Sequence, residues 1–310
     1  MTTAADGPGT QPPGPAVRLR EYAQALGMPL RRGQSGVRAL YELESTHNLL
    51  TERTLFRNLG YWANSPSTLD EACAALVDLV GERAGLVPGQ RVLDAGFGFA
   101  DQDLQWAARF QPQQIVGIDI IPDHLLLARR RIAAAGLTET IELRLASATA
   151  IPFPDGHFDR VVAVESAMHF RTRADFFREA RRVLRPDGAL VVAEPIAPAP
   201  QSQSRISGWL EQTFGGVPPA NRCDRAGYTE ALTVAGFVEV RVESIRDFVY
   251  PQFSRYLAGQ LTDPAVRRRL NPLVRAMWHG WLRAFDHRDG VVRLGAQDYV
   301  LATARPGRRG

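Results

Sequence analysis

The chain has 310 residues, 45% apolar and 23% charged, the make-up of a soluble globular protein with a sizeable core and room for more than one domain. Its formal charge is +4, and all 37 basic residues are arginine, because lysine does not occur. A P-loop, a protein kinase and a pyridoxal-phosphate Schiff base each need a lysine, so the common phosphoryl transfers and imine chemistry are excluded.

Residues 1–15 are rich in Gly, Pro and Thr and are expected to form a disordered tail. That stretch lacks the apolar core of a secretion signal, and no later run reaches membrane-spanning length, so a cytoplasmic location with no membrane partner is expected. Residues 16–85 read as an N-terminal helical cap. VRLREYAQALG, VRALYELESTHNLL and TERTLFRNLGYW carry broken helical patterns. A longer helix follows, opened by Thr68 or Asp70, with Ala72, Ala75, Leu76, Leu79 and Val80 as its apolar set.

From 86 to 246 the texture changes to alternation. RVLDAG, IVGIDI, IELRLA, FDRVVAVE and ALVVAE are short apolar strands. Between them DLQWAARF, DHLLLARRRIAAAG and ADFFREARRVL read as helices, the last closed by Pro186-Asp187-Gly188. Strands alternating with helices predict an α/β fold, a mostly parallel sheet with helices on both faces. A helix around Ser207 to Phe214 and another in TEALTVAG precede the sixth strand, FVEVRVESI. Residues 247–294 form a long, mostly helical, aromatic insertion, longer than a connection requires and assigned to a substrate lid. Residues 295–310 supply the last strand and a basic tail. The arginine triplets at 129–131 and 267–269 read as solvated helix faces, so no nucleic-acid partner is expected. Cys73 and Cys223 have no metal-type spacing, and no metal site is expected.

The most informative segment is Val92-Leu93-Asp94-Ala95-Gly96-Phe97-Gly98-Phe99-Ala100-Asp101. A strand runs into a glycine turn that opens a helix, the place where doubly wound folds bind nucleosides. The dinucleotide fingerprint needs glycine at 101, where this chain has aspartate, and a carboxylate there would repel a pyrophosphate. The expected ligand is a cationic nucleoside without phosphates, and S-adenosylmethionine fits. Asp94 and Asp101 would supply negative charge near it, and Asp119, ending the second strand, would accept the ribose hydroxyls.

These segments resemble the class I S-adenosylmethionine-dependent methyltransferases, in particular the ubiquinone-methyltransferase-like branch acting on small molecules. The resemblance runs closely over residues 58–195. VLDAGFGFA matches the cofactor loop (Asp94, Gly96, Gly98), VGIDII the ribose segment (Asp119, Ile120) and SATAIPFPDGHFDRVVAVESAMHF the adenine loop (Ser147, Ala148) and fourth strand. VLRPDGALVVAEP completes the set. The resemblance implies a Rossmann-like seven-stranded sheet whose last strand is antiparallel between the fifth and sixth. The third glycine of the family's loop is Ala100 here, Phe97 stands where cysteine is frequent, and Ser147 stands in place of the usual adenine-binding acid. NLGYW matches a segment that closes over the cofactor in relatives, which makes Tyr61 and Trp62 cofactor-lid candidates, with core aromatics as the alternative.

Methyl transfer from a sulfonium requires alignment, exclusion of water and, for a hydroxyl acceptor, removal of a proton. His169, in the loop after the fourth strand, is the candidate general base. In similar O-methyltransferases its partner is an acid after the fifth strand, here Glu194. Glu165, ending the fourth strand, would hold the cofactor's amino acid end. Alternatively it would stabilise a carbocation, since ESAM also resembles a segment of prenyl-diphosphate C-methyltransferases. Trp209, Phe214, Tyr228, Phe248, Tyr250, Phe253, Tyr256, Trp278 and Trp281 lie in the two late insertions, where with the front helices they would roof the site with a hydrophobic cavity, many of them simply holding the lid together. The expected activity is O-methylation of a hydrophobic small molecule such as a phenol, polyketide or sugar. The alternatives are isoprenoid C-methylation and a non-methylating cofactor-binding protein on the same fold. A homo-oligomer is left open.

Overall fold

The computed structural model describes residues 14–27, 46–197, 217–284, 286–288, 291–293 and 297–308. The helix expected at Ser207 to Phe214, and the tail up to residue 13, lie outside them. In chain order the elements are α1 (Pro15–Gly27), α2 (Leu69–Ala84), β1 (Arg91–Ala95), α3 (Asp101–Phe110), β2 (Gln114–Asp119), α4 (Pro122–Ala134) and β3 (Ile141–Leu145). There follow β4 (Phe158–Val164), α5 (Arg173–Val183), β5 (Leu184–Ile196), α6 (Arg225–Val234), β6 (Phe237–Ser244), α7 (Tyr250–Thr262), α8 (Pro264–Arg269) and α9 (Pro272–Ala284). A small hairpin of Asp286–Arg288 with Val291–Arg293 precedes the last strand, β7 (Asp298–Pro306).

The chain divides into two compact units. One comprises Ala74–Pro200, Val217–Arg246 and Gln297–Gly310 and contains the whole seven-stranded sheet, in the order β3-β2-β1-β4-β5-β7-β6. β1 to β5 run parallel, and β7 is antiparallel to both β5 and β6. The expected sheet and its antiparallel insertion are therefore present. β5 starts at Leu184, which pairs with Phe158, and a register shift follows before Arg160 pairs with Ala189. Pro186-Asp187-Gly188 thus falls within the strand, and α5 ends at Val183.

The packing follows from side-chain spacing. In α5, Phe176, Phe177, Ala180 and Val183 lie on one stripe and are fully buried. They share a core with Leu93, Val161, Leu190, Val192 and Val300 of the strands and with Tyr228 and Leu232 of α6. Each buried phenylalanine contributes about 1.5–3 kcal/mol of transfer free energy. α5 starts at a capping box in which Thr172 and Asp175 exchange hydrogen bonds. Across the chain, Trp106 of α3 donates its indole N–H to Val77 of α2 at 2.8 Å.

The other unit gathers the chain up to Cys73, Gln201–Gly216 and Asp247–Ala296. Its described helices are held by a buried polar knot. Glu21 of α1 accepts from Asn48 (2.9 Å) and from Asn271 at the head of α9 (2.8 Å), while the Asn271 amide donates to Asn48 at 2.8 Å. Phe253, Trp278 and Trp281 stack edge to face, with Tyr250 tilted against Trp281.

The segment TERTLFRNLGYW is not helical. The Asp70 carboxylate accepts from the amides of Glu52, Arg53 and Thr54 at 2.7–3.0 Å, so these groups are satisfied without a helix. Thr68, and not Asp70, caps α2, accepting from the Glu71 amide at 3.2 Å. No helix among the described residues is long and apolar enough to cross a membrane.

Candidate functional site

In the sheet, β1 and β4 are neighbours from which the chain winds outward in opposite directions, so their following loops part and leave a crevice. Gly96 closes β1 with φ of 97°, and a Cβ there would lie 2.4 Å from the Cβ of Ser166, the second residue after β4. Only glycine fits. Ser166 Oγ donates to the Ala95 carbonyl at 2.5 Å, tying the two loops together. Phe97 is fully buried and packs over Gly117, which explains how the turn accepts a bulky residue. Ala100 takes a left-handed conformation just before α3 (φ 64°), a geometry that glycine would adopt with less strain.

Asp119 faces this turn from the end of β2. Its Oδ2 accepts from the Gly98 amide at 3.1 Å and its Oδ1 from Ile121 at 2.9 Å. His124 Nδ1 lies 3.5 Å from Oδ2, and its ring packs on Phe99 at 4.6 Å. Two carboxylate oxygens offer about four acceptor positions, so capacity for a diol is left. Asp94 is wholly buried, its Oδ2 accepting from Gln102 at 3.0 Å, and its carboxyl also shares a hydrogen bond with Asp103. Burial pushes the Asp94 carboxyl up to about 7, against the pull of Gln102 and with the help of Asp119. Asp103, equally buried, is raised well above the ordinary range by burial and by Asp94. This second acid went unnoticed in the sequence because it lies inside a helix.

Asp101 departs from expectation. Its two oxygens receive Arg131 of α4, at 2.5 and 2.8 Å, and the same guanidinium reaches the Phe99 carbonyl at 2.5 Å. Its charge is neutralised within the protein, which leaves Asp94 and Asp119 as the acids at the turn. An arginine on the next helix was not visible in the local motif.

Ser147 and Ala148 follow β3, with Ala148 buried and the Ser147 hydroxyl occupied in its own turn by Thr149, 2.9 Å away. Ile120 is half-buried beside Asp119. Tyr61 and Trp62 belong to the other unit. There Tyr61 tilts against Phe248 at 5.6 Å, and Trp62 is buried against Tyr256 and donates to the Leu59 carbonyl at 2.9 Å.

Glu165 leaves β4 in a left-handed conformation (φ 47°), its amide bonded to Ala193 and its Oε1 accepting from the Tyr299 hydroxyl at 2.8 Å. Tyr299, from the antiparallel β7, has no sequence signal. His169 is half-buried at the end of a single helical turn, Ala167–His169, its amide bonded to Ser166. Glu194 is fully buried. Its Oε1 is met by Arg173 Nε at 2.9 Å and by the Tyr228 hydroxyl at 2.7 Å. Burial pushes Glu194 up from the ordinary carboxylate range while Arg173 and Tyr228 pull it back. Burial disfavours charge on Arg173, but Glu194 holds its guanidinium above the usual value. Tyr228, expected in the acceptor cavity, is instead a core residue, packed on Phe177 at 5.5 Å. Phe248, Tyr250, Phe253, Tyr256, Trp278 and Trp281 belong to the helical unit, and Trp209 and Phe214 lie outside the described residues.

These residues fit S-adenosylmethionine. A buried carboxylate on Asp94 suits a cationic group, Asp119 suits a ribose, and the Gly96 turn admits a close ligand.

A methyltransferase domain model matches residues 93–192. The chain is 34% identical to erythromycin 3''-O-methyltransferase of Saccharopolyspora erythraea, over 88% of this chain and 91% of that protein. It is 28% identical to 27-O-demethylrifamycin SV methyltransferase of Amycolatopsis mediterranei, over 79% and 88% of the two chains. Among solved structures it is similar to the cyclopropane synthase MmaA2 of Mycobacterium tuberculosis, with TM-score 0.71 and 21% identity over 87% and 97% of the two chains.

Proposed function

The chain belongs to the class I S-adenosylmethionine-dependent methyltransferases, and we propose that it methylates a hydroxyl on a hydrophobic specialised metabolite, with the sugar of a macrolide as the first acceptor class. The observation that carries this reading is the short chain of bonds from the cofactor turn to a histidine. The Ser166 hydroxyl holds the Ala95 carbonyl, and the Ser166 carbonyl holds the His169 amide at 3.0 Å. A general base is thereby tied to the loop that would carry the methyl donor.

S-adenosylmethionine supplies an activated methyl group on a sulfonium, so the transfer itself needs no further activation. Asp119 would accept the ribose hydroxyls, and Asp94 would meet the cationic end. Ser147, Ala148 and Ile120 would border the base. His169 Nε2 or Nδ1 would take the acceptor's proton as its oxygen bonds the methyl carbon and the methyl–sulfur bond breaks, with the demethylated cofactor as leaving group. The Tyr299 hydrogen bond on Glu165 supports a holding role for that carboxylate over a cation-stabilising one. Tyr61 and Trp62 as cofactor-binding residues belong to the same proposal, supported by the NLGYW match. A cytoplasmic location accords with Cys73 and Cys223 as reduced thiols.

The test is incubation of the full chain with methyl-labelled cofactor and a panel of 3''-O-demethyl erythromycin, 27-O-demethylrifamycin SV and a simple phenol. Mass spectrometry should show one methyl added to an oxygen of a glycosylated or polyketide acceptor. Tight cofactor binding with no label reaching the panel or a cell extract would favour the non-methylating alternative.

A further inference from the structure

We propose that Asn221 is a positioning residue for His169. The inference rests on the reading of His169 as the base. Asn221 is 2% exposed and sits in the short turn before α6. Its Nδ2 donates to the Met168 carbonyl at 2.9 Å and to the Phe170 carbonyl at 2.8 Å, the residues on either side of His169. Its Oδ1 accepts from the Arg173 amide at 2.8 Å. Both amide protons and the amide oxygen are thus committed to one short stretch of backbone.

The Met168 carbonyl lies in the peptide plane that precedes His169, and the plane that follows it is held by the Phe170 amide on the Ala167 carbonyl at 3.2 Å. The bond to the Phe170 carbonyl anchors the next plane along, so together they set the direction of the His169 Cα–Cβ bond. That is what a base needs, because a misplacement of about 1 Å can cost on the order of a hundredfold in rate. The anchor is itself held. Arg173 Nη1 donates to the Asn221 carbonyl at 2.7 Å, while its Nε meets Glu194 at 2.9 Å and its guanidinium lies over the Tyr228 ring at 4.8 Å. Glu194 therefore acts on the histidine's backbone twice, by accepting from the Met168 amide and, through its ion pair with Arg173, by holding Asn221.

Asn221→Asp separates positioning from bulk stability. It keeps an oxygen for the Arg173 amide but removes both N–H donors and sets an anion against two carbonyls. The readout is the His169 side-chain nitrogen resonance in the full chain bound to S-adenosylhomocysteine, assigned by its loss in His169→Gln. The proposal predicts that Asn221→Asp shifts or splits this resonance while affinity for S-adenosylhomocysteine changes less than about twofold. With 3''-O-demethyl erythromycin as probe acceptor, kcat should fall at least tenfold with KM little changed. A folded variant whose His169 resonance is unmoved would overturn the proposal. If Asn221→Asp does not fold, Asn221→Ser, which retains one donor, is read by the same resonance and the same two outcomes. Full methyl transfer by His169→Ala would instead remove the base assignment, a result separable from the behaviour of the Asn221 variants.

Discussion

The Tyr299 hydroxyl donates to Glu165 Oε1 at 2.8 Å, joining the antiparallel last strand to the first residue after β4. Tyr299 is fully buried, and Glu165 holds a left-handed backbone that costs a residue with a Cβ about 1–2 kcal/mol. The hydrogen bond fixes the carboxylate direction that this strained backbone sets. Tyr299→Phe should weaken S-adenosylhomocysteine binding about tenfold, equivalent to about 1.4 kcal/mol. Titration calorimetry measures it, and an unchanged affinity would assign the bond to scaffolding alone.

Loss of the imidazole tests the base directly. His169→Ala should lower kcat by about 10²–10⁴-fold and leave cofactor affinity unaltered. Glu165→Gln should act mainly on cofactor affinity. If Glu165→Gln alone abolishes turnover, with His169→Ala near wild type, the cation-stabilising mechanism is the better account.

The buried Asp94 carboxyl makes the unliganded protein sensitive to pH. Its value is pushed up to about 7 from 3.8, so between about pH 4 and 7 the folded state keeps a proton that the unfolded chain has released. Stability should therefore fall as pH rises through that window. Binding of the cationic cofactor should strengthen over the upper part of it as Asp94 ionises. Thermal melts and calorimetry from pH 5 to 8 should show both trends, and Asp94→Asn should flatten them.

The Arg173–Glu194 pair lies at 4% and 0% exposure, so removing one charge strands the other. Glu194→Ala should destabilise the protein by about 3–5 kcal/mol, and the double variant Arg173→Met/Glu194→Leu should recover part of the loss. Denaturant unfolding of the three variants decides it. Additive losses would show that the pair does not act as a unit.

Gly96→Ala places a methyl group 2.4 Å from the Ser166 Cβ at a φ of 97°. The variant should lose most cofactor affinity, since either the turn or the loop after β4 must shift. Wild-type calorimetry for this variant would show that the two loops are more compliant than their spacing implies.

What could be read from the sequence was local. Short apolar runs stopped by glycine, as in RVLDAG and IVGIDI, marked the strands, and the acids ending them marked the crevice. What could not be read depended on partners far along the chain. The segment 51–62 has a helical pattern, yet the amides of Glu52, Arg53 and Thr54 are claimed by Asp70 and those of Gly60 to Trp62 by other partners. Asp101 looked like free charge until Arg131 arrived from the next helix. Tyr228 looked like a cavity aromatic, but its hydroxyl serves a carboxylate on another strand. Asn221 follows two prolines in a stretch with no periodicity, and only its contacts disclose it.

The helical unit is assembled from three separate stretches of chain, interleaved with those of the sheet unit. Neither part can be cut out or transplanted at a single junction. Exchanging either unit with that of a relative therefore requires matched grafts at several splice points, and recombination with one crossover should yield misfolded hybrids.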